Sequence, residues 1–296
     1  MLQKQLKCPT YLFVASLCAL AGLSQSCTKK APEPPTNPNK KTIVSLHPAI
    51  TETIFALGKQ DLLIGRSNYC DAPAAAKRLT EMGTSLTPNF ETIARVKPKL
   101  VLTDQSAGTP IKNLAQITQT QQLAWLTKKD VRASILQLGS IVGEEEKAKQ
   151  LSSMIYRSLE STATSTSPRM LVVMGGSNIE KGQIWYIRKD SIHNAAIEAA
   201  GFQNAAPARK SGPPQMSIEQ LLAQDPDVIM FLPSKKISSD ERQSLIRSLN
   251  VLPSLKAVQN KTVRVLNGSN LMGVGPSITT LVAIIRAEGQ SALEPK

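Results

Sequence analysis

Histidine and tryptophan each occur only twice in this 296-residue chain, histidine as His47 and His193. Two imidazoles are too few for the cluster of histidines and carboxylates that a receptor for bare zinc or manganese requires. Cysteine is almost as scarce. Cys8 and Cys18 fall in an N-terminal leader and Cys27 directly follows it, so Cys70 stands alone in the folded part and no intramolecular disulfide framework is available. No G-x-S-x-G nucleophile elbow is present, and the Gly175-Gly176 pair is not followed by a G-x-G-x-x-G or Walker pattern, so it reads as a simple turn. Nor is there a basic run with interleaved aromatics. The net charge is +13, but six lysines and one glutamate in the first 41 residues supply +5 of it, and the rest is dispersed. Nucleic-acid binding is therefore disfavoured, and the basic balance suits an acidic ligand or an anionic membrane surface.

What the chain does have is a repeat. Pro88 to Leu102 reads PNFETIARVKPKLVL, and Met216 to Met230 reads MSIEQLLAQDPDVIM. Glu91 matches Glu219, Pro98 matches Pro226, and Leu100-Val101-Leu102 matches Val228-Ile229-Met230. Each copy predicts a short helix capped by Asn89 or Ser217 with its glutamate in the first turn, then a proline break, then a buried strand. A unit repeated half a chain apart implies two similar lobes.

The leader has Lys4 and Lys7 before an apolar run from Tyr11 to Leu23, then small polar residues and Cys27. That is the pattern of a secretory signal, too short to span a bilayer. Cys27 resembles the lipidation site of bacterial lipoproteins; plain cleavage near Ser26 is the alternative. Residues 28–41 hold four prolines among Lys, Asn and Thr and read as an extended tether.

Beyond residue 41, strands alternate with helices. Lys41 to Leu46 is β-rich and ends at His47-Pro48, where a helix opens that runs to Gly58. Leu62 to Gly65 is a second strand, followed by the loop Arg66-Ser67-Asn68-Tyr69-Cys70-Asp71. The alternation argues an α/β lobe with a largely parallel sheet and ligand-facing loops at the carboxyl ends of strands. In the middle, helical periodicity continues on both sides of Gly143, and a helix from Glu144 to Thr162 would span about 28 Å, enough to bridge two lobes. A second lobe begins at Met170 to Met174 and contains a helix from Ser191 to Ala200, a strand from Thr262 to Leu266 and a last helix opened by Pro276. The expected organisation is a signal at 1–27, a tether at 28–41, lobes at 42–127 and 168–296, and an interlobe helical segment at 128–167.

These residues resemble the substrate-binding lipoproteins of ABC importers for cobalamin, ferric siderophores and haem. Ile43 to Gly58 is similar to the family's opening strand and helix, and the Ser-Asn-Tyr-Cys-Asp loop to its cobalamin-type members. The resemblance implies a class III periplasmic binding protein: two Rossmann-like α/β lobes joined by a single long helix, with no enzymatic activity and no intrinsic cofactor. It implies that Glu91 and Glu219 dock on arginines of a permease dimer that works with ATPase subunits, against the simpler role of first-turn helix electrostatics. The protein is expected to act as an exported monomer, anchored through Cys27 if that residue is lipidated. A secreted enzyme or a surface interaction module on the same fold is the alternative.

The ligand implied is an iron chelate, haem or a corrinoid, held on loops opposite the docking glutamates. Tyr69, with Asn68 beside it, matches one of the aromatics that line cobalamin clefts, and Met272 lies in a run, Leu271 to Pro276, that resembles the haem-type members. His47 is either an axial ligand to iron or cobalt or a hydrogen-bonded loop histidine. Trp185 and Tyr186 offer a stacking surface, or simply pack. Arg209 and Lys210 receive carboxylate or phosphate groups, or are only solvated. Cys70 is expected to be buried and inert.

Overall fold

The computed structural model describes residues 41–294 except 107, 176, 209–211 and 269. The signal, the tether up to residue 40, Cys27, Arg209 and Lys210 therefore lie outside the described residues. The N-terminal lobe runs β1 (Ile43–Ser45), α1 (Pro48–Ala56), β2 (Leu63–Arg66), β3 (Thr80–Glu81) and α2 (Phe90–Val96). It continues through β4 (Leu100–Asp104), α3 (Ile111–Ile117) and β5 (Thr120–Leu123). Next come α4 (Lys128–Val142) and α5 (Glu145–Ser158). The C-terminal lobe begins with β6 (Arg169–Met174), β7 (Ile184–Trp185), α6 (Ile192–Ala199), β8 (Gln203–Asn204) and β9 (Gln215–Met216). It ends with α7 (Ile218–Gln224), β10 (Val228–Leu232), α8 (Ser239–Arg247), α9 (Lys256–Gln259), β11 (Val263–Val265) and α10 (Ile278–Leu293).

Both main sheets are parallel, in the orders β3-β2-β1-β4-β5 and β11-β10-β6-β8. The opening strand of each lobe, β1 or β6, pairs with the strand of the repeated unit, β4 or β10. The sequence repeat is thus a repeat of topology. It extends to detail: Asn89 caps α2 by accepting from the Thr92 N–H, Ser217 caps α7 by accepting from the Gln220 N–H, and both helices end on a left-handed residue, Lys97 (φ 48°) and Asp225 (φ 38°). Proline follows each and forbids continuation of the helix. All five residues of β4 and of β10 are buried, as strands covered by helices on both faces must be.

The middle segment corrects one expectation. The helix predicted to Thr162 ends at Ser158, and its 14 residues span about 21 Å. Two competing partners end it: Lys128 Nζ takes the Leu159 carbonyl at 2.8 Å, and Thr162 bonds the end of α6 through its N–H to Glu198 O and its hydroxyl to Ala199 O. The bridge is a hairpin in which α4 folds back on α5 after Gly143, which is left-handed at φ 72°. Gly139 permits the close approach, since a Cβ there would overlap that of Ala148. Because α4 packs on α1 and α5 on α10, one hydrophobic core runs through both lobes, from Ile43 and Ile50 by way of Ile135 and Ile155 to Val172 and Leu281. Lys40–Lys296 accordingly forms one compact unit.

Candidate functional site

A cleft of about 320 Å³ lies where the lobes meet, lined by His47, Tyr69 and Asp71 from one side and by Ser234, Met272 and Val274 from the other. The N-terminal residues stand at the carboxyl ends of β1 and β2, as parallel α/β sheets dictate. Tyr69 is 71% exposed, an amphipathic ring presented on the cleft surface.

His47 is the N-cap of α1, and its Nδ1 accepts the Ala49 N–H at 3.3 Å. Burial lowers its pKa despite the opposing Asp104 carboxylate, so the ring is neutral. With Nδ1 used as an acceptor, the one ring proton sits on Nε2. Of the two roles open to this residue, the geometry favours the hydrogen bond: axial ligation through Nε2 needs a lone pair, which the ring supplies only by giving up the cap. Trp125 stacks on it, with ring centroids 6.1 Å apart and planes at 17°. Trp125 lies just after β5, is buried in the shared core and braces the His47 ring without lining the cleft.

The other expected residues divide. Asn68 is braced to Gly83, accepting that residue's N–H at 3.1 Å and donating to its carbonyl at 2.9 Å, so it shapes the loop that carries Tyr69 and does not line the cleft. Tyr186 departs from the stacking role: its ring is fully buried in the core of the C-terminal lobe. Its hydrophobic neighbours on β6 claim it as packing. Trp185 is half-buried on the antiparallel β7–β9 pair and is not among the residues lining the cleft. Cys70 is buried with its thiol pKa raised by burial, and Thr51 donates a hydroxyl hydrogen bond to its sulfur.

Beneath the cleft the lobes are clasped. Glu52, 7% exposed on α1, accepts from the Asn270 side-chain amide and from the Ser277 N–H at 3.2 Å, both on the C-terminal side. Burial raises the pKa of this carboxyl group against those hydrogen bonds. Gly275 lies flat on the same helix, where a Cβ would stand 2.9 Å from Ala49 Cα. A second tie joins the Ile192 N–H to the Leu126 carbonyl at 2.6 Å. Next to it His193, 8% exposed, has its pKa lowered to about 4 by burial, against a hydrogen bond with the Met272 backbone. Its Nε2 has no partner among the described residues.

Glu91 and Glu219 are both exposed, in the first turns of α2 and α7. Each stands near the carboxyl edge of its own sheet, on the side of the cleft and not opposite it. Asn89 is tied to Met82, and Gly83, bonded to Asn68, bridges Pro88, which fixes the start of α2 beside the Tyr69 loop. In the other lobe β9 leads into α7 and pairs with β7, whose Trp185 N–H is held by Ser177 just past the end of β6. A helix that precedes a strand in this fold starts at the strand's carboxyl end, which corrects the expectation of a ligand held on loops opposite the two glutamates. The Glu219 carboxylate is held ionised by the Ser217 hydroxyl, 2.5 Å away, and by its own N–H, which lower its pKa.

A family model described as periplasmic binding protein matches residues 43–269. The chain belongs to the periplasmic binding protein family. It is 26% identical over 195 residues to the vitamin B12-binding protein of Salmonella typhimurium, which covers 64% of this chain and 71% of that one. Identity is also 26%, over 227 residues, to an uncharacterized ABC transporter substrate-binding lipoprotein of Bacillus subtilis, covering 72% of this chain and 70% of that one. Among solved structures, the periplasmic haem-binding protein BhuT in complex with two haems superposes with a TM-score of 0.70 at 22% identity, over 86% of this chain and 99% of the other. This likeness shows the class III fold: two α/β lobes with a helical connection.

Proposed function

We propose that this protein is the extracytoplasmic substrate-binding component of an ABC importer, taking an iron siderophore, haem or cobalamin into the interlobe cleft and delivering it to a permease dimer and its ATPases. The observation that carries the reading is the placement of the cleft lining and of two matched carboxylates, one per lobe, at the carboxyl edges of their sheets. A surface that holds a ligand and is flanked by Glu91 and Glu219 is built to present that ligand to a partner. Tyr69 supplies an apolar face, His47 a hydrogen-bond donor toward chelate oxygens, and Met272 a polarizable wall. Cys27 serves as the lipid anchor, holding a monomer at the membrane surface.

Titration of the purified protein with haem, cyanocobalamin and ferric hydroxamates, followed by absorbance and intrinsic fluorescence, is expected to give saturable one-to-one binding of at least one. Tyr69→Ala should weaken that binding by roughly ten-fold, the loss expected for one stacked aromatic face worth about 1.4 kcal/mol. Failure of all three chelate classes would count against the reading.

A further inference from the structure

The C-terminal lobe contains a second cavity, of about 460 Å³, larger than the interlobe cleft. In the order β11-β10-β6-β8, the chain crosses from β6 to β8 on one side and from β10 to β11 on the other. The crossovers leave in opposite directions, so a crevice opens at the carboxyl ends of β6 and β10, the position where open α/β sheets hold ligands. Gly175 past β6 and Ser234 past β10 line this cavity. They approach closely because Gly175 lacks a side chain: a Cβ there would stand 2.9 Å from the Ser234 backbone nitrogen. Met174, Phe231, Ile237 and Leu245 form an apolar floor, and the exposed rim carries Asn178, Glu180, Lys235, Glu241 and Ser244. Ser234 also lines the interlobe cleft, so the two cavities adjoin on opposite sides of that residue.

We propose that this cavity is a second compartment of the ligand site, which takes an uncharged aliphatic or aryl arm of a chelate whose metal-bearing head lies in the cleft. The inference rests on the importer reading above and narrows its substrate class to chelates with such an arm. A hydrocarbon arm leaving the head past Ser234 enters the crevice and covers the partly exposed Met174, Ile237 and Leu245 above a buried Phe231, while the hydroxyl, carboxylate and ammonium groups of the rim stay solvated. A compact chelate leaves the compartment empty and gains nothing from it.

Ferric tris(acetohydroxamate) and ferric tris(hexanohydroxamate) share one metal-binding head and differ only in their arms. Calorimetric titration of the wild-type protein is expected to show the hexanoyl chelate binding at least about ten-fold tighter, the direction set by added methylene burial. Ser244→Trp, on the exposed face of α8, narrows the cavity. It should reduce that advantage to less than about two-fold while leaving the acetohydroxamate affinity unchanged, and Ser244→Ala should retain the full gap. Equal affinity of the two chelates for wild type, or an advantage that survives Ser244→Trp, overturns the compartment and leaves the cleft intact. Binding of neither hydroxamate overturns it as well, and reaches the importer reading only if haem and cyanocobalamin also fail to bind.

Discussion

Arginine at position 91 or 219 is expected to cut chelate uptake by at least about ten-fold, and both together to abolish it, with ligand affinity unchanged within about two-fold. The two carboxylates sit on separate lobes in the first turns of geometrically matched helices, each capped and each exposed. Such a pair fixes a partner's orientation through two charge-assisted contacts, and reversal sets like charges against each other at several kcal/mol. Neither residue lines the cleft, so binding of the chelate survives. The measurement is uptake of a chelate identified by titration, in cells that depend on the variant, alongside its dissociation constant for the pure protein. Loss of chelate binding in step with uptake would remove the docking role, and full uptake by the double variant would leave the carboxylates as helix-end charges only.

Acid should weaken the fold through His193. Its folded pKa of about 4 lies below the ordinary 6.5, so the unfolded chain binds a proton that the folded one refuses. Stability contributed by the neutral ring is complete above pH 6.5 and is lost as pH falls toward 4, amounting to roughly 3 kcal/mol at about 1.4 kcal/mol per pH unit. His47, also lowered by burial, acts in the same direction. Glu52 opposes both, because its raised pKa makes the folded state take up a proton earlier than the unfolded one as pH falls. Thermal melting between pH 7 and pH 4 should therefore show wild type losing on the order of 10 °C more than His193→Gln. Parallel curves for the two proteins would show that this ring does not couple folding to pH.

The architecture was legible because its cues are local. A capped first turn, a proline stop and an apolar run specify helix then strand without help from the rest of the chain, and their recurrence around Glu91 and Glu219 revealed two lobes. The length of α5 was not legible, since its apolar periodicity continues while Leu159 and Thr162 are drawn away by Lys128 and by the end of α6. The edge strands β3 and β8, two residues each, carry no pattern of their own and exist through pairing. At the cleft, His47 and Tyr69 stand just past the ends of β1 and β2, where chain order alone places them, whereas Tyr186 turns into the core. An aromatic on a strand faces one side or the other according to register, and only tertiary pairing decides which. Glu52, Asn270 and Trp125 act through contacts between distant parts of the chain, and no motif marks them.

The clasp at Glu52 also bears on the docking proposed above. With the lobes joined by one core and held by Asn270 and Ser277, the proposed docking predicts that an empty copy and a full one offer a permease nearly the same two carboxylates. On that proposal docking counts carriers and not cargo, and empty copies are expected to compete for the same berth. In vesicles holding the transporter at limiting chelate, added empty protein should slow uptake, and flux should follow the fraction of carriers that are full instead of their number.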